Sequence, residues 1–241
     1  MSDDPDRRPS LPWRAIIGGG IAGTVLTLFV LLLGARAGLT DGLVRSALQR
    51  HPEMLVETAD SLRDRQYAPF LAANRTAIER PWGSSWQGAK DADVTLVEYY
   101  DYACSFCRAS LPIIAQLLRE DPKLRVVYRE FPILGPDSVT AARLALTASR
   151  AGHFLAFHEA MYAVGRPDAR SLSAVAAAVG LPNGPSSDPA IDAELKANYR
   201  VAGQLGATGT PLFVVGNRVM NGAVGYDTLK QAIAAARTRR D

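Results

Sequence analysis

The stretch VTLVEYYDYACSFCR, Val94–Arg108, decides how the rest of the chain is read. An apolar run ends in Asp101-Tyr102-Ala103 and then places Cys104 and Cys107 just ahead of the helical spacing Leu111, Ile114, Leu117, Leu118. A strand therefore hands over to a helix at the first cysteine. There, Cys104 meets the unpaired backbone N–H groups and the positive end of the helix dipole, which favour a negatively charged sulfur. Cys107 follows one turn later on the same face, within disulfide reach of Cys104, so the pair can alternate between dithiol and disulfide. Glu98, six residues before Cys104, would carry a carboxyl from the strand toward the sulfurs, or else stand solvated on it.

A CxxC by itself also fits half of a zinc site or a static bridge. Composition narrows the field. The chain has 241 residues, 48% hydrophobic and 21% charged, enough for one well-filled domain with additions. A net charge of +3, with no basic run alternating with aromatics, gives no support to nucleic-acid binding. Both cysteines of the chain lie in the one CxxC, which excludes a scaffold stapled by several disulfides.

Outward from that motif, residues 1–14 are polar and carry Arg7, Arg8 and Arg14. The run Ala15–Ala35 contains no charge and at ~1.5 Å per residue reaches the ~30 Å of a bilayer core. It reads as a membrane-spanning signal-anchor, with a cleaved signal peptide as the alternative because Ala35-Arg36-Ala37 fits a small-x-small cleavage site. Arg36, Arg45 and Arg50 balance the basic residues before the span, so charge does not set its orientation. A working disulfide needs an oxidising compartment, which puts everything after the span outside the cytoplasm and residues 1–14 inside.

Residues 40–80 form a helical stalk or oligomerisation segment, expected as two or three pieces interrupted at Pro52 and Pro69. Its apolar stripe is too thin for a core of its own and must meet the main domain, the membrane or another copy. Leu48, Leu55 and Leu62 recur every seven residues, as a short self-associating seam requires. Pro81–Ser85 reads as a linker, and the main domain covers residues 85–236. Within it, Leu124–Phe131 is a second strand, parallel to the first. A block of helices about 137–207 follows (Ser138–Ala151, His153–Val164, Ser171–Val179, Pro189–Leu205). After Thr210-Pro211, Leu212–Val215 and Arg218–Asn221 form a hairpin across Gly216-Asn217, and Tyr226–Ala236 closes the chain as a helix.

Strand, CxxC helix, strand, helical block, Thr-Pro, hairpin and helix compose an α/β, thioredoxin-like fold with an inserted helical domain, preceded by the stalk and the membrane-spanning helix. The stretches VTLVEYYDYACSFC, VVYREFPILGPDS and GATGTPLFVVGNRVMNGAVG resemble the DsbA-like disulfide oxidoreductases, in the Com1/ScsC-type branch, from Asp93 to about Ala236. That resemblance implies an extracytoplasmic enzyme that exchanges disulfides with cysteine-containing exported proteins and is served by a DsbB- or DsbD-like membrane redox partner. It makes Cys104 the attacking thiolate, Cys107 the resolving thiol and Glu98 a buried acid assisting proton transfer. Pro211 becomes a cis-proline, with Thr210 before it offering backbone groups to an extended substrate peptide. No cofactor and no metal is implied, and the stalk resembles a region that in some members mediates oligomerisation. Ser105-Phe106 departs from the Pro-His of strongly oxidising members, so the disulfide should be less oxidising and isomerisation or reduction comes into question.

A reading of another class places Cys104 and Cys107 with His153 and His158 around zinc. The two histidines are five residues apart, about 140° around a helix, and make poor joint ligands. One packed and one solvated histidine is the simpler expectation.

Overall fold

A computed structural model describes Thr27, Phe29, residues 39–182, Gly184 and residues 186–238. Apart from Thr27 and Phe29, the Ala15–Ala35 run lies outside the described residues, and with it the membrane-spanning helix read from the sequence. Among the described residues no helix is long and apolar enough to cross a membrane. The chain divides into two compact units, Met1–Ala59 and Asp60–Asp241.

In the first unit, helix α1 (Leu39–Arg50) stops just before Pro52, where the expected break falls. Helix α2 begins at Glu53 and runs to Glu79, crossing the unit boundary. Here the expectation of an interruption at Pro69 is wrong, because α2 continues through it. A proline removes one N–H and crowds one carbonyl, but the turns around Pro69 are held by packing: Tyr67, Phe70 and Leu71 all lie against the apolar layer of the second unit.

The second unit is built on a five-stranded sheet: β1 (Trp86–Gly88), β2 (Val94–Tyr100), β3 (Leu124–Glu130), β4 (Leu212–Val215) and β5 (Arg218–Asn221), in the order β1-β3-β2-β4-β5. β2 and β3 pair in parallel, Glu98 opposite Tyr128 and Tyr100 opposite Glu130, whereas the remaining pairs are antiparallel. The parallel crossover is helix α3 (Ser105–Glu120), which buries Cys107, Ser110, Ile114 and Leu117 on one stripe. β1 was not legible as a strand; it is three residues long and adds an edge to β3 immediately after the expected linker. The β4–β5 turn is the anticipated hairpin, with Gly216 at φ +57° and Asn217 at negative φ, a glycine-first tight turn.

Strand alternation gives the sheet two faces. Val94, Leu96 and Tyr100 of β2 pack with Leu124, Val126 and Tyr128 of β3 under α3 and the helical block α4 (Pro136–Arg150), α5 (Phe154–Val164) and α6 (Ala169–Ala178). Helix α8 (Tyr226–Thr238) closes this side through Leu229, Ala232 and Ile233. The opposite face carries Val97, Tyr99, Val127 and Val214 and is covered by Leu71 and Ile78 of α2 and Ala202 of α7 (Pro189–Gln204). The segment before the sheet thus meets the main domain over its last turns, the first of the three options left by its apolar stripe. There Arg129 donates to the carbonyls of Ala77 (2.5 Å), Ile78 (3.0 Å) and Arg80 (2.6 Å), satisfying the unpaired C-terminal carbonyls of α2, and pairs with Glu194 at 2.5 Å.

Candidate active site

β2 delivers the chain to the site and α3 receives it. Cys104 is the N-cap of α3, in extended conformation (φ −84°, ψ 118°), with its own amide donated to the Asp101 carbonyl at 3.0 Å. Cys107 lies one turn inside. Both are reduced and buried, Cys104 at 6% exposure and Cys107 at 1%, so what access solvent has is to Cys104. Between them, Phe106 projects into solvent with 60% of its surface exposed.

The turn preceding Cys104 is held by one carboxylate. Asp101, 1% exposed, accepts the amide of Ala103 on Oδ1 (2.7 Å) and the amides of Ile133 and Leu134 on Oδ2 (2.8 Å each). Its backbone carbonyl also accepts the Tyr162 hydroxyl at 3.3 Å. A single residue therefore ties the β2–α3 turn to the loop after β3 and to α5 of the helical block. Sequence reading passed over it, although it stands inside the decisive stretch.

Glu98 is on the same sheet face as Tyr100 and is fully enclosed, with Oε1 lacking a hydrogen-bond partner. Burial, and after it the neighbouring charge of Cys104, pushes its carboxyl well above the ordinary carboxylate range. Cys107 is pushed up in turn, by burial first and then by Glu98. Glu98, Cys104 and Cys107 are thus together, and the solvated alternative for Glu98 does not hold.

From the far side, the loop before β4 brings in Thr210 and Pro211. The Thr210–Pro211 bond is cis, and the Thr210 carbonyl accepts from the Cys104 thiol at 3.3 Å. The structure thus assembles all five residues singled out from the sequence: Glu98, Cys104, Cys107, Thr210 and Pro211.

The zinc alternative finds no support. His153 is exposed at the start of α5, whereas His158 is buried and its ring nitrogen Nδ1 meets the Tyr102 hydroxyl at 3.2 Å. Among the described residues no group of three or more His, Cys, Asp or Glu side chains is disposed to hold a metal ion.

The family model for the DSBA-like thioredoxin domain matches residues 95–234. Among solved structures, a thioredoxin-like oxidoreductase from Silicibacter pomeroyi is 34% identical, covering 68% of this chain and 98% of that one, with a TM-score of 0.63. A linker-deletion and point-mutant form of Proteus mirabilis ScsC is 26% identical, covering 85% and 96%, with a TM-score of 0.66. A periplasmic thioredoxin-like protein from Salmonella enterica serovar Typhimurium is 28% identical, covering 68% and 95%, with a TM-score of 0.62. Two curated proteins are also similar: the Na(+)/H(+) antiporter NhaA 3 of Salinispora tropica, 26% identical over 260 residues, and NhaA 1 of Salinispora arenicola, 27% identical over 164. The chain spans 38% of the first and 24% of the second, well under half the length of either.

Proposed function

Because the chain belongs to the DsbA-like thioredoxin-domain family of thiol–disulfide oxidoreductases, we propose that it exchanges disulfides with exported, cysteine-containing proteins through Cys104 and Cys107. Cys104 is the attacking sulfur and Cys107 resolves the mixed disulfide. The observation that carries this reading is the meeting of three elements at one sulfur: Cys104 begins α3, lies beside the enclosed Glu98, and reaches the Thr210 carbonyl at 3.3 Å. In the forward cycle, a substrate thiolate attacks the Cys104–Cys107 disulfide at Cys104 and Cys107 leaves as a thiolate. Cys107 cannot keep that charge in so dry a position, and the Glu98 carboxyl, itself favoured in its protonated form, supplies a proton. An extended peptide would pair with the backbone of Thr210, placing its cysteine over Cys104.

The catalytic domain works outside the cytoplasm, held to the inner membrane through the uncharged run of residues 15–35 or released by cleavage near Ala37. The periplasmic description of a similar Salmonella protein favours that side of the membrane. A DsbB- or DsbD-like partner would reset the dithiol. Ser105-Phe106 favours isomerisation or reduction over strong oxidation, and Leu55 and Leu62, seven residues apart on α2 and both exposed, favour a homo-oligomer.

The test of the exchange reaction is trapping. Cys107→Ser should accumulate mixed disulfides with exported proteins and Cys104→Ser should give none; trapping through a lone Cys107 would overturn the assignment. For the assembly, Leu55→Glu with Leu62→Glu should lower the mass in solution and the refolding of a scrambled-disulfide substrate. A parent that is already monomeric and strongly oxidising would leave a plain oxidase.

A further inference from the structure

The exposed apolar side chains of the second unit are not scattered. After Leu62, six large ones stand exposed among the described residues, at 36–60%: Phe106, Ile133, Leu134, Val139, Val164 and Tyr199. All six belong to the CxxC turn or to elements tied to the loop after β3. Phe106 lies inside the CxxC, and Ile133 and Leu134 form the centre of the loop. Val139, in the first turn of α4, gives its amide to the Gly135 carbonyl at 3.2 Å. Val164 ends α5 two residues before Arg166, whose guanidinium reaches the Leu134 carbonyl at 3.4 Å, and the Tyr199 hydroxyl of α7 bonds the Pro132 carbonyl. Single exposed apolar residues are ordinary, whereas a cluster around one loop marks a contact surface.

The loop itself is held still. Phe131 gives its amide to the Tyr100 carbonyl (2.8 Å), Ile133 and Leu134 give theirs to the Asp101 carboxyl (2.8 Å each), and the carbonyls of Pro132, Leu134 and Gly135 accept from Tyr199, Arg166 and Val139. The same carboxyl takes the amide of Ala103, next to Cys104, at 2.7 Å, so the loop and the sulfur turn share one anchor. Yet the two central side chains, an isoleucine and a leucine, are left 41% and 42% exposed. A backbone fixed in advance loses little further entropy on contact, which is what a binding surface requires.

Sheet order sets which side of Cys104 this is. β2 runs on toward Cys104 between β3 and β4; near its end Tyr100 pairs with Glu130 of β3 and Tyr99 with Leu212 of β4. Thr210-Pro211 therefore enters on one flank of the site and Ile133-Leu134 leaves on the other. The Thr210 backbone can pair with any extended chain and reads no side chain. The amides of Ile133 and Leu134 are already bonded to Asp101, so that flank offers side chains alone.

We propose that the Ile133–Leu134 loop, together with Phe106, is the specificity-determining flank of the exchange site and takes apolar side chains next to the substrate's cysteine. The occupant is an unfolded, cysteine-bearing segment of the substrate. Its sulfur must reach Cys104, so the residues beside that cysteine cross a surface anchored to the same turn. A folded protein has withdrawn its apolar side chains from water and an unfolded one has not, so the loop favours unfinished chains over finished ones.

This rests on the exchange reaction proposed above, and the test separates the two. The probes are two dithiol peptides of equal length and cysteine spacing, one with leucines and one with serines beside a cysteine. Each is oxidised to its disulfide as the Cys104–Cys107 bond is reduced to two thiols. Each second-order rate is divided by that peptide's rate with oxidised glutathione, which removes differences in thiol reactivity, and the readout is the ratio of leucine to serine peptide on one protein. Closed apolar pockets discriminate a methylene group by about 10–200-fold and an open flank belongs at the low end, so the parent should favour the leucine peptide about tenfold. Ile133→Ser with Leu134→Ser should bring the ratio to within about twofold of unity, whereas a purely structural role would slow both peptides alike. A parent ratio already near unity, or a ratio kept by the double variant, overturns the proposal. Should the double variant fail to fold, Leu134→Ala alone must lower the ratio, and an unchanged ratio overturns it. Failure of the parent to react with either peptide would instead refute the proposed function.

Discussion

Asp101→Ala removes the acceptor of three amides at once, and the cost can be worked from their geometry. The bonds from Ala103, Ile133 and Leu134 measure 2.7, 2.8 and 2.8 Å, and each goes to an ionisable carboxylate that is 1% exposed. A hydrogen bond to a charged group is worth about 1.5–3 kcal/mol, and a donor left unsatisfied loses about 1–3 kcal/mol. The side chains of Ile133 and Leu134 are 41% and 42% exposed, so water can reach that loop once it loosens, which favours the low end for two of the three. The sum is about 3–5 kcal/mol, a large share of the ~5–15 kcal/mol by which a domain is stable. It should lower Tm by about 6–20 °C. Urea unfolding of the reduced protein measures the loss, and hydrogen exchange at Ala103, Ile133 and Leu134 locates it. Asp101→Asn separates charge from volume: the amide keeps one oxygen for Ala103 but turns an NH2 group toward two N–H donors. It should therefore be destabilised nearly as much as the alanine variant. If Asp101→Asn is neutral within about 0.5 kcal/mol and Asp101→Ala costs under about 1 kcal/mol, the carboxylate does not hold the two loops together and the reasoning fails.

Three further substitutions test other parts of the structure. Burial raises the Glu98 carboxyl in the folded protein, so its contribution to stability is complete below about pH 4.5, the ordinary value, and is lost as pH rises through the raised one, at up to about 1.4 kcal/mol per pH unit. Glu98→Gln should thus gain on the parent steadily in urea melts between pH 5 and pH 8, and parallel profiles would exclude an enclosed neutral acid. Gly88 has φ +95°, and a Cβ there would lie 2.4 Å from the Leu124 carbonyl oxygen, so Gly88→Ala should cost about 2–4 kcal/mol by displacing β1 from β3; an unchanged unfolding midpoint would contradict that edge pairing. Glu194→Gln leaves the buried Arg129 without its carboxylate and should cost about 3–5 kcal/mol, less whatever the three carbonyl partners retain, while the pH dependence of glutathione exchange stays that of the parent because Glu194 serves the opposite sheet face.

What the sequence disclosed followed the range of the interactions concerned. β2, α3, β3 and the Gly216-Asn217 hairpin are written in local periodicity and turn chemistry, and they stand within a residue or so of where those patterns put them. β1 has no such pattern: Trp86-Gln87-Gly88 is a strand only because β3 offers it an unpaired edge. Pro69 signalled a break locally, and the continuous helix reflects packing contributed by residues more than a hundred positions away, Ala202 and Val214 among them. In the site, Glu98, Cys104 and Cys107 were visible because they share one strand–helix junction, whereas Thr210 and Pro211 came from family resemblance. Asp101 and Glu130 were passed over for a common reason. Their partners are the amides of a loop after β3 in one case and the Tyr100 hydroxyl of a neighbouring strand in the other, and neither residue belongs to a spacing that announces it.

Arg129 and Glu130 show how strand geometry sets the chemistry of this centre. The two are adjacent in sequence with opposite formal charges, and on a solvated helix or loop they would partly neutralise each other. On β3 successive side chains point to opposite faces. Arg129 is turned toward α2 and α7, where Glu194 and three main-chain carbonyls occupy it, while Glu130 is turned to the face of Glu98 and bonds the Tyr100 hydroxyl. The cation that could hold Glu130 ionised is thereby kept on the far side of the sheet. Glu98, on the neighbouring strand and the same face, likewise has no cation among the causes that shift it. Two enclosed carboxyls are left on one sheet face, Glu98 beside Cys104 and Glu130 on the Tyr100 hydroxyl. Burial therefore raises both above the ordinary carboxylate range, and no cation stands among the neighbours that act on either.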